Sequence, residues 1–208
     1  MSDNDEKHWK FIISISVTVI LAFCGYLYTW NQARNDAQYN AQLERVNSQL
    51  KEFYGPLYVL TEAEELSFEQ FLKHTRPNQG RAFWNVNNPP NEEQKKAWRQ
   101  WISAVTIPNY ERMELIILQH SDLIIEDDIP KPLLDLSSHI AGYKPVLAAW
   151  KGGDYSRNWS FTNFPQEVRS HLKERYVFLK NRQRSLIGLV TASNPNKLMH
   201  PTAKAAAD

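Results

Sequence analysis

Asp135, His139 and Tyr143 recur every fourth residue and so share one face of a helix. A carboxylate beside an imidazole holds its tautomer and raises its pKa, which is how a general base or a metal ligand is prepared. Glu111 and Glu114 lie one turn apart on a preceding helical stretch, and His120 follows them. Two facing helices offering Glu111, Glu114, Asp135 and His139 form a candidate metal set, and Asp135, His139, Tyr143, Glu111 and Glu114 a candidate acid–base set. The Glu-x-x-His pair of carboxylate di-iron bundles is absent, as are paired cysteines and a His-x3-His spacing. The competing reading is a buried polar network that joins helices, with His139 and Tyr143 satisfied by Asp135 or Glu111.

Other chemistries leave no trace. There is no Gly-rich phosphate loop, no Walker lysine and no Gly-x-Ser-x-Gly elbow, so no cofactor is expected. The formal charge of +1 is near balance and gives no indication of a nucleic-acid partner. The single cysteine, Cys24, excludes an internal disulfide and falls within an apolar stretch.

That stretch, Phe11 to Trp30, sets the organisation of the chain. It is twenty residues without a charge and, as a helix, covers about 30 Å, the thickness of a bilayer core. Trp9 and Phe11 at one end, and Tyr26, Tyr28 and Trp30 at the other, resemble a pair of interface belts. A single transmembrane helix over 9–30 is expected, after a polar tail over 1–8. The run is too long for a cleaved signal peptide's apolar region. Phe23 before Cys24 is too bulky for lipoprotein processing. Ser14, Thr18, Ala22 and Gly25 form a stripe of small side chains on which a second helix can sit.

Seven glycines in 208 residues and long periodic stretches favour an all-α fold. Residues 31–54 read as a helical arm continuing the span, and 55–192 as a bundle of four to five helices. Residues 193–208 read as a disordered tail. Tyr39, Leu43, Val46, Leu50, Phe53, Leu57 and Leu60 are spaced 4, 3, 4, 3, 4, 3, a heptad seam. The seam either pairs with a second copy or lies against the chain's own later helices. Gly55-Pro56 interrupts it and either kinks the helix or opens a new one. On the helix that follows, Leu60, Ala63, Leu66, Phe68, Phe71 and Leu72 are expected inside; Glu62, Glu64, Glu65 and Glu69 are expected outside.

Residues 75–91, rich in Pro and Asn, form the longest loop, with Phe83 and Trp84 pinned to the surface. Asn91 and Gln94 have the spacing of a capping box. Trp98, Trp101, Ile102 and Val105 form the buried side of the next helix, which Pro108 bends or splits. Pro132 opens a helix that Gly152-Gly153 ends. Asn163 is placed to cap a last helix from Pro165 to Val190, whose six basic residues outnumber its two glutamates, Glu167 and Glu174. That surplus either meets anionic lipid or is an ordinary solvated face.

The phrases LKEFYGPLYVL (50–60), IPNYERMELIILQHSDLI (107–124) and LLDLSSHIAGYKPVLAAWKGGDYS (133–156) resemble a family of uncharacterised bacterial proteins. The phrases FWNVNNPPNEEQKKAWRQW (83–101) and TNFPQEVRSHLKERYVFLK (162–180) point the same way, over about residues 43–190. The resemblance implies one N-terminal span and a helical domain, and assigns no catalytic role. The expected protein is a single-pass component of the bacterial inner membrane, its domain on the cytoplasmic side. Its expected partners are the bilayer and, through residues 14–25 and 39–60, another protein or a second copy. A scaffold or interaction role leads. The alternatives are an acid–base or metal-dependent enzyme and a dimerising sensory or defence module.

Overall fold

The computed structural model describes residues 3–78 and 83–188, without the side chains of 3–8 and 10–14. The tail over 193–208, Val190, the tip of the long loop and the Phe11 side chain therefore lie outside the described residues. The fold is all-α, with six α-helices among the described residues: α1 Asp3–Ser48, α2 Gly55–Thr75, α3 Glu92–Trp101, α4 Ile107–Gln119, α5 Lys131–Lys151 and α6 Glu167–Leu186. No strand occurs among the described residues, only an isolated bridge between Asn85 and Asn88. The chain forms two compact units that divide between Glu44 and Arg45.

The first unit is helical from Asp3. Every described side chain from Ile15 to Trp30 is exposed. Thr29 returns its hydroxyl to the Gly25 carbonyl at 2.7 Å, the usual internal satisfaction of a threonine in an apolar helix. Among the described residues no helix is long and apolar enough to cross a membrane. The transmembrane expectation is thus not borne out by them; the side chains of positions 11–14, which include Phe11, Ile12 and Ile13, fall outside the described residues.

The second unit holds the core. Val46, Phe53 and Leu57 of the heptad seam are buried at 7%, 0% and 0% exposure, in one cluster with Met113, Leu133, Leu136 and Leu172. From Val46 onward the seam therefore faces its own domain. Two five- to six-residue stretches, Gln49–Tyr54 and Ile102–Thr106, are π-helical. Each ends two residues before a proline, Pro56 or Pro108, that sits in the first turn of the next helix. Proline has no N–H for the carbonyl four residues back, and its ring crowds that carbonyl. The preceding N–H reaches five residues back instead: Gly55 N–H to Leu50 O, and Ile107 N–H to Ile102 O. At Gly55 this brings the Leu50 carbonyl so close that a Cβ would overlap it.

Local signals set most boundaries. Asn91 and Gln94 exchange both bonds of the capping box, at 2.8 and 3.0 Å. Gly152 caps α5, and Gly153 adopts a positive φ of 83°. Pro145 lies inside α5 at an exposed position, where it has no N–H to offer the Ala141 carbonyl one turn back. Asn163 does not cap α6, which begins at Glu167 with no side-chain cap. Phe83, expected at the surface, is core at 2% exposure, held by buried Arg76, which donates to the Phe83 and Asn88 carbonyls.

On α2 the expected faces need correction. Leu66 is 60% exposed, whereas Glu64 is buried at 7%. Leu57, Thr61, Glu64, Phe68 and Phe71 repeat at 4, 3, 4, 3, so Glu64 occupies an inward position of the stripe. Arg169 of α6 clamps the outer edge of α2, bonding Glu62 at 3.2 Å and pairing with Glu65 at 3.4 Å. Arg175 meets Glu126 at 2.5 Å, and the Tyr54 hydroxyl donates to the same carboxylate at 3.1 Å while accepting from the Ile125 N–H. Two cations of the α6 surplus are thereby used within the domain.

Candidate functional site

A cavity of about 190 Å³ opens among α2, the π-helical turn before Pro108, α4, α5 and the approach to α6. Its aromatic walls are Phe68, Trp98, Tyr110, Tyr143 and Phe164, and its polar groups include Glu64, Glu65 and His139. The wide π turn contributes Ile102 and Thr106, and such turns recur at functional sites.

Glu64 is the principal acceptor. Its oxygens take hydrogen bonds from the Thr106 hydroxyl at 2.6 Å and the Asn109 amide at 2.8 Å, both neutral donors. Thr61, beside it, turns its own hydroxyl back to the carbonyls of Leu57 and Tyr58.

His139 is buried and fully engaged. Its Nδ1 lies 2.7 Å from the Thr162 carbonyl, which can only accept, so the proton sits on Nδ1. Nε2 then accepts from the Tyr110 hydroxyl at 3.3 Å. Burial pulls the His139 pKa below its ordinary value of 6.5 against the opposing Thr162 bond, and the ring is neutral at pH 7. Burial, with the nearby Tyr143 and Glu64 charges, raises Tyr110 well above 10. Tyr143 is pushed up to about 12, again chiefly by burial. The two phenols are neutral donors, not anions.

The cavity wall depends on the segment between α5 and α6. Ser160 is buried and donates to the His139 carbonyl at 2.7 Å, packing directly on Gly142, where a Cβ would strike Ser160 Oγ. Trp98 donates its indole N–H to the Asn158 carbonyl at 2.7 Å, and Trp150 to the Arg157 carbonyl at 2.8 Å. Held this way, the segment presents Tyr155, Trp159 and Phe161 outward at 50%, 47% and 60% exposure. Arg99 lies over the Tyr155 ring at 4.3 Å, and Arg157 over Phe161 at 4.0 Å.

The structure divides the residues singled out from spacing: Glu111, Glu114 and Tyr143 line a separate small cavity of about 40 Å³. His139 and Tyr143 do line one cavity. Asp135 does not join them: it is partly exposed and pairs with Lys131, one turn earlier on α5. Glu114 bridges α4 to α5 by pairing with Lys144 at 2.9 Å, and Glu111 is exposed. His120 faces Glu52 at 3.8 Å instead. Among the described residues no group of three or more His, Cys, Asp or Glu is placed to hold a metal ion. Asp135 therefore neither orients His139 nor raises its basicity. Glu64, which the cavity does use, carries one signal in the chain: it falls on an inward position of the α2 stripe. Comparison with protein-family models, with curated proteins and with solved structures finds no match.

Proposed function

We propose that this protein is a membrane-anchored helical interaction module, held at the bacterial inner membrane by α1. One observation carries the reading: every described residue from Ile15 to Trp30 is exposed on a helix, the large apolar ones at 42% to 72%. An uncharged helical surface of that extent greatly exceeds the apolar patches that soluble proteins leave in water. Phe11 to Ser14 extend the uncharged run to bilayer length. Lipid is the solvent that suits such a surface. The aromatic segment of the second unit, with Trp159 and Phe161 outward, supports a protein-contact role. The basic residues left on α6, including exposed Lys173 and Arg184, favour the cytoplasmic leaflet.

The test is fractionation of bacterial membranes carrying the full chain. The chain is expected to stay in the pellet through an alkaline carbonate wash. Val19→Arg with Phe23→Arg places two charges mid-span at a cost of about 2.5–3.5 kcal/mol each, and is expected to release most of it. Recovery of the unaltered chain as a monodisperse species from detergent-free supernatant overturns the proposal.

A further inference from the structure

The geometry points to a small organic cation, a protonated amine carrying an apolar or one-ring body, as the ligand of the cavity beside Glu64. A buried carboxylate is costly unless it is paired. Glu64 is 7% exposed, and both of its bonds come from neutral groups. A carboxylate offers about four acceptor directions, so two remain. Among the described residues no lysine or arginine pairs with Glu64. The neighbouring Arg169 is directed to Glu62 and Glu65 instead. The cavity's own imidazole is neutral in its Nδ1–H tautomer and brings Glu64 no charge. Glu64 thus brings a buried carboxylate to the cavity with no cationic side chain on it among the described residues.

The walls specify the rest. Phe68, Trp98, Tyr110 and Phe164 turn π systems on the same space, and an ammonium over such faces is attracted at about 0.5–2 kcal/mol per contact. A bare metal ion would find mainly aromatic carbon and only two carboxylates. The volume of about 190 Å³ equals roughly six waters, which suits a one-ring amine and excludes a peptide. The ammonium N–H groups donate to the open directions of Glu64 while the body stacks against Trp98 and Phe164.

The full chain in detergent micelles, titrated with benzylammonium and with benzyl alcohol at pH 7.5, tests this through tryptophan fluorescence and calorimetry. Saturable binding is expected, with the ammonium at least about ten-fold tighter than its neutral isostere. Glu64→Gln keeps the shape and is expected to erase that ratio while leaving the alcohol's affinity unchanged. Equal binding of ammonium and alcohol, an unaltered ratio in Glu64→Gln, or no saturation below about 10 mM refutes the inference. Should Glu64→Gln fail to fold, the ratio in the unaltered chain decides alone.

Discussion

Gly142→Ala gives a test whose sign is the opposite of the usual one. In a helix interior, replacing glycine by alanine normally stabilises by about 0.8–1 kcal/mol. Here the new Cβ would overlap Ser160 Oγ and stand 3.1 Å from the Phe161 nitrogen, and Ser160 is buried and bonded, with little freedom to move. Displacing it breaks its bond to the His139 carbonyl and loosens the neighbouring Thr162 acceptor of His139. Two buried bonds at ~1 kcal/mol each, with ~1–3 kcal/mol of overpacking, outweigh the propensity gain. The net expectation is a loss of about 2–4 kcal/mol, or roughly 4–16 °C in thermal midpoint for a domain of this size. Urea and thermal unfolding of the full chain, followed by near-UV circular dichroism, measures it. Ser160→Ala removes the struck oxygen and leaves only the Cβ, which would lie 3.5 Å away in ordinary contact, so Gly142→Ala should cost less in that background. A midpoint raised by Gly142→Ala, or strict additivity of the two changes, would refute the reasoning.

Gly55→Ala should likewise destabilise, by about 1–3 kcal/mol in urea unfolding, because the added Cβ meets the Leu50 carbonyl that the π turn draws in. Asn91→Ala removes the side-chain half of the capping box on α3, the acceptor of the Gln94 N–H, and should cost about 1 kcal/mol by the same assay, with Asn91→Ser close to neutral. Acidification should weaken the fold below about pH 6.5: burial depresses the folded pKa of His139 and of His171, so the unfolded chain binds protons that the folded one refuses. Stability is then full above that value and falls with pH toward the folded pKa values; His139→Gln should flatten the slope measured by urea unfolding between about pH 7.5 and 5.5. Trp159→Ala, at a half-exposed position, should change stability by less than about 1 kcal/mol and reduce any partner captured by cross-linking in membranes; loss of folding instead would place the residue in the core.

Features that depend on neighbours in the chain were legible before any packing was known. The capping box at Asn91, the interruptions at Pro56 and Pro108, the helix opening at Pro132 and the Gly152-Gly153 stop arise from backbone donors and allowed φ values within a few residues. The helical class follows from the same local terms. Periodicity also placed Val46, Phe53 and Leu57 on one face, and burial agrees. Residue type misled where it was read ahead of position: four glutamates near one another on α2 looked like a solvated side, yet Glu64 keeps the inward phase of the stripe.

Partnership, by contrast, was settled only by the tertiary structure. Asp135, His139 and Tyr143 share a face in one dimension, but the ring nitrogens of His139 are claimed by Thr162 and Tyr110, from elements 23 and 29 residues away in sequence. Asp135 is left to Lys131 on its own helix. Spacing says which side chains point the same way; it carries no information about which acceptor another element brings within 3 Å. The cavity has the same origin. Phe68, Trp98, Tyr110 and Phe164 lie on four separate stretches, and only the packing of those stretches around a wide π turn encloses the space between them.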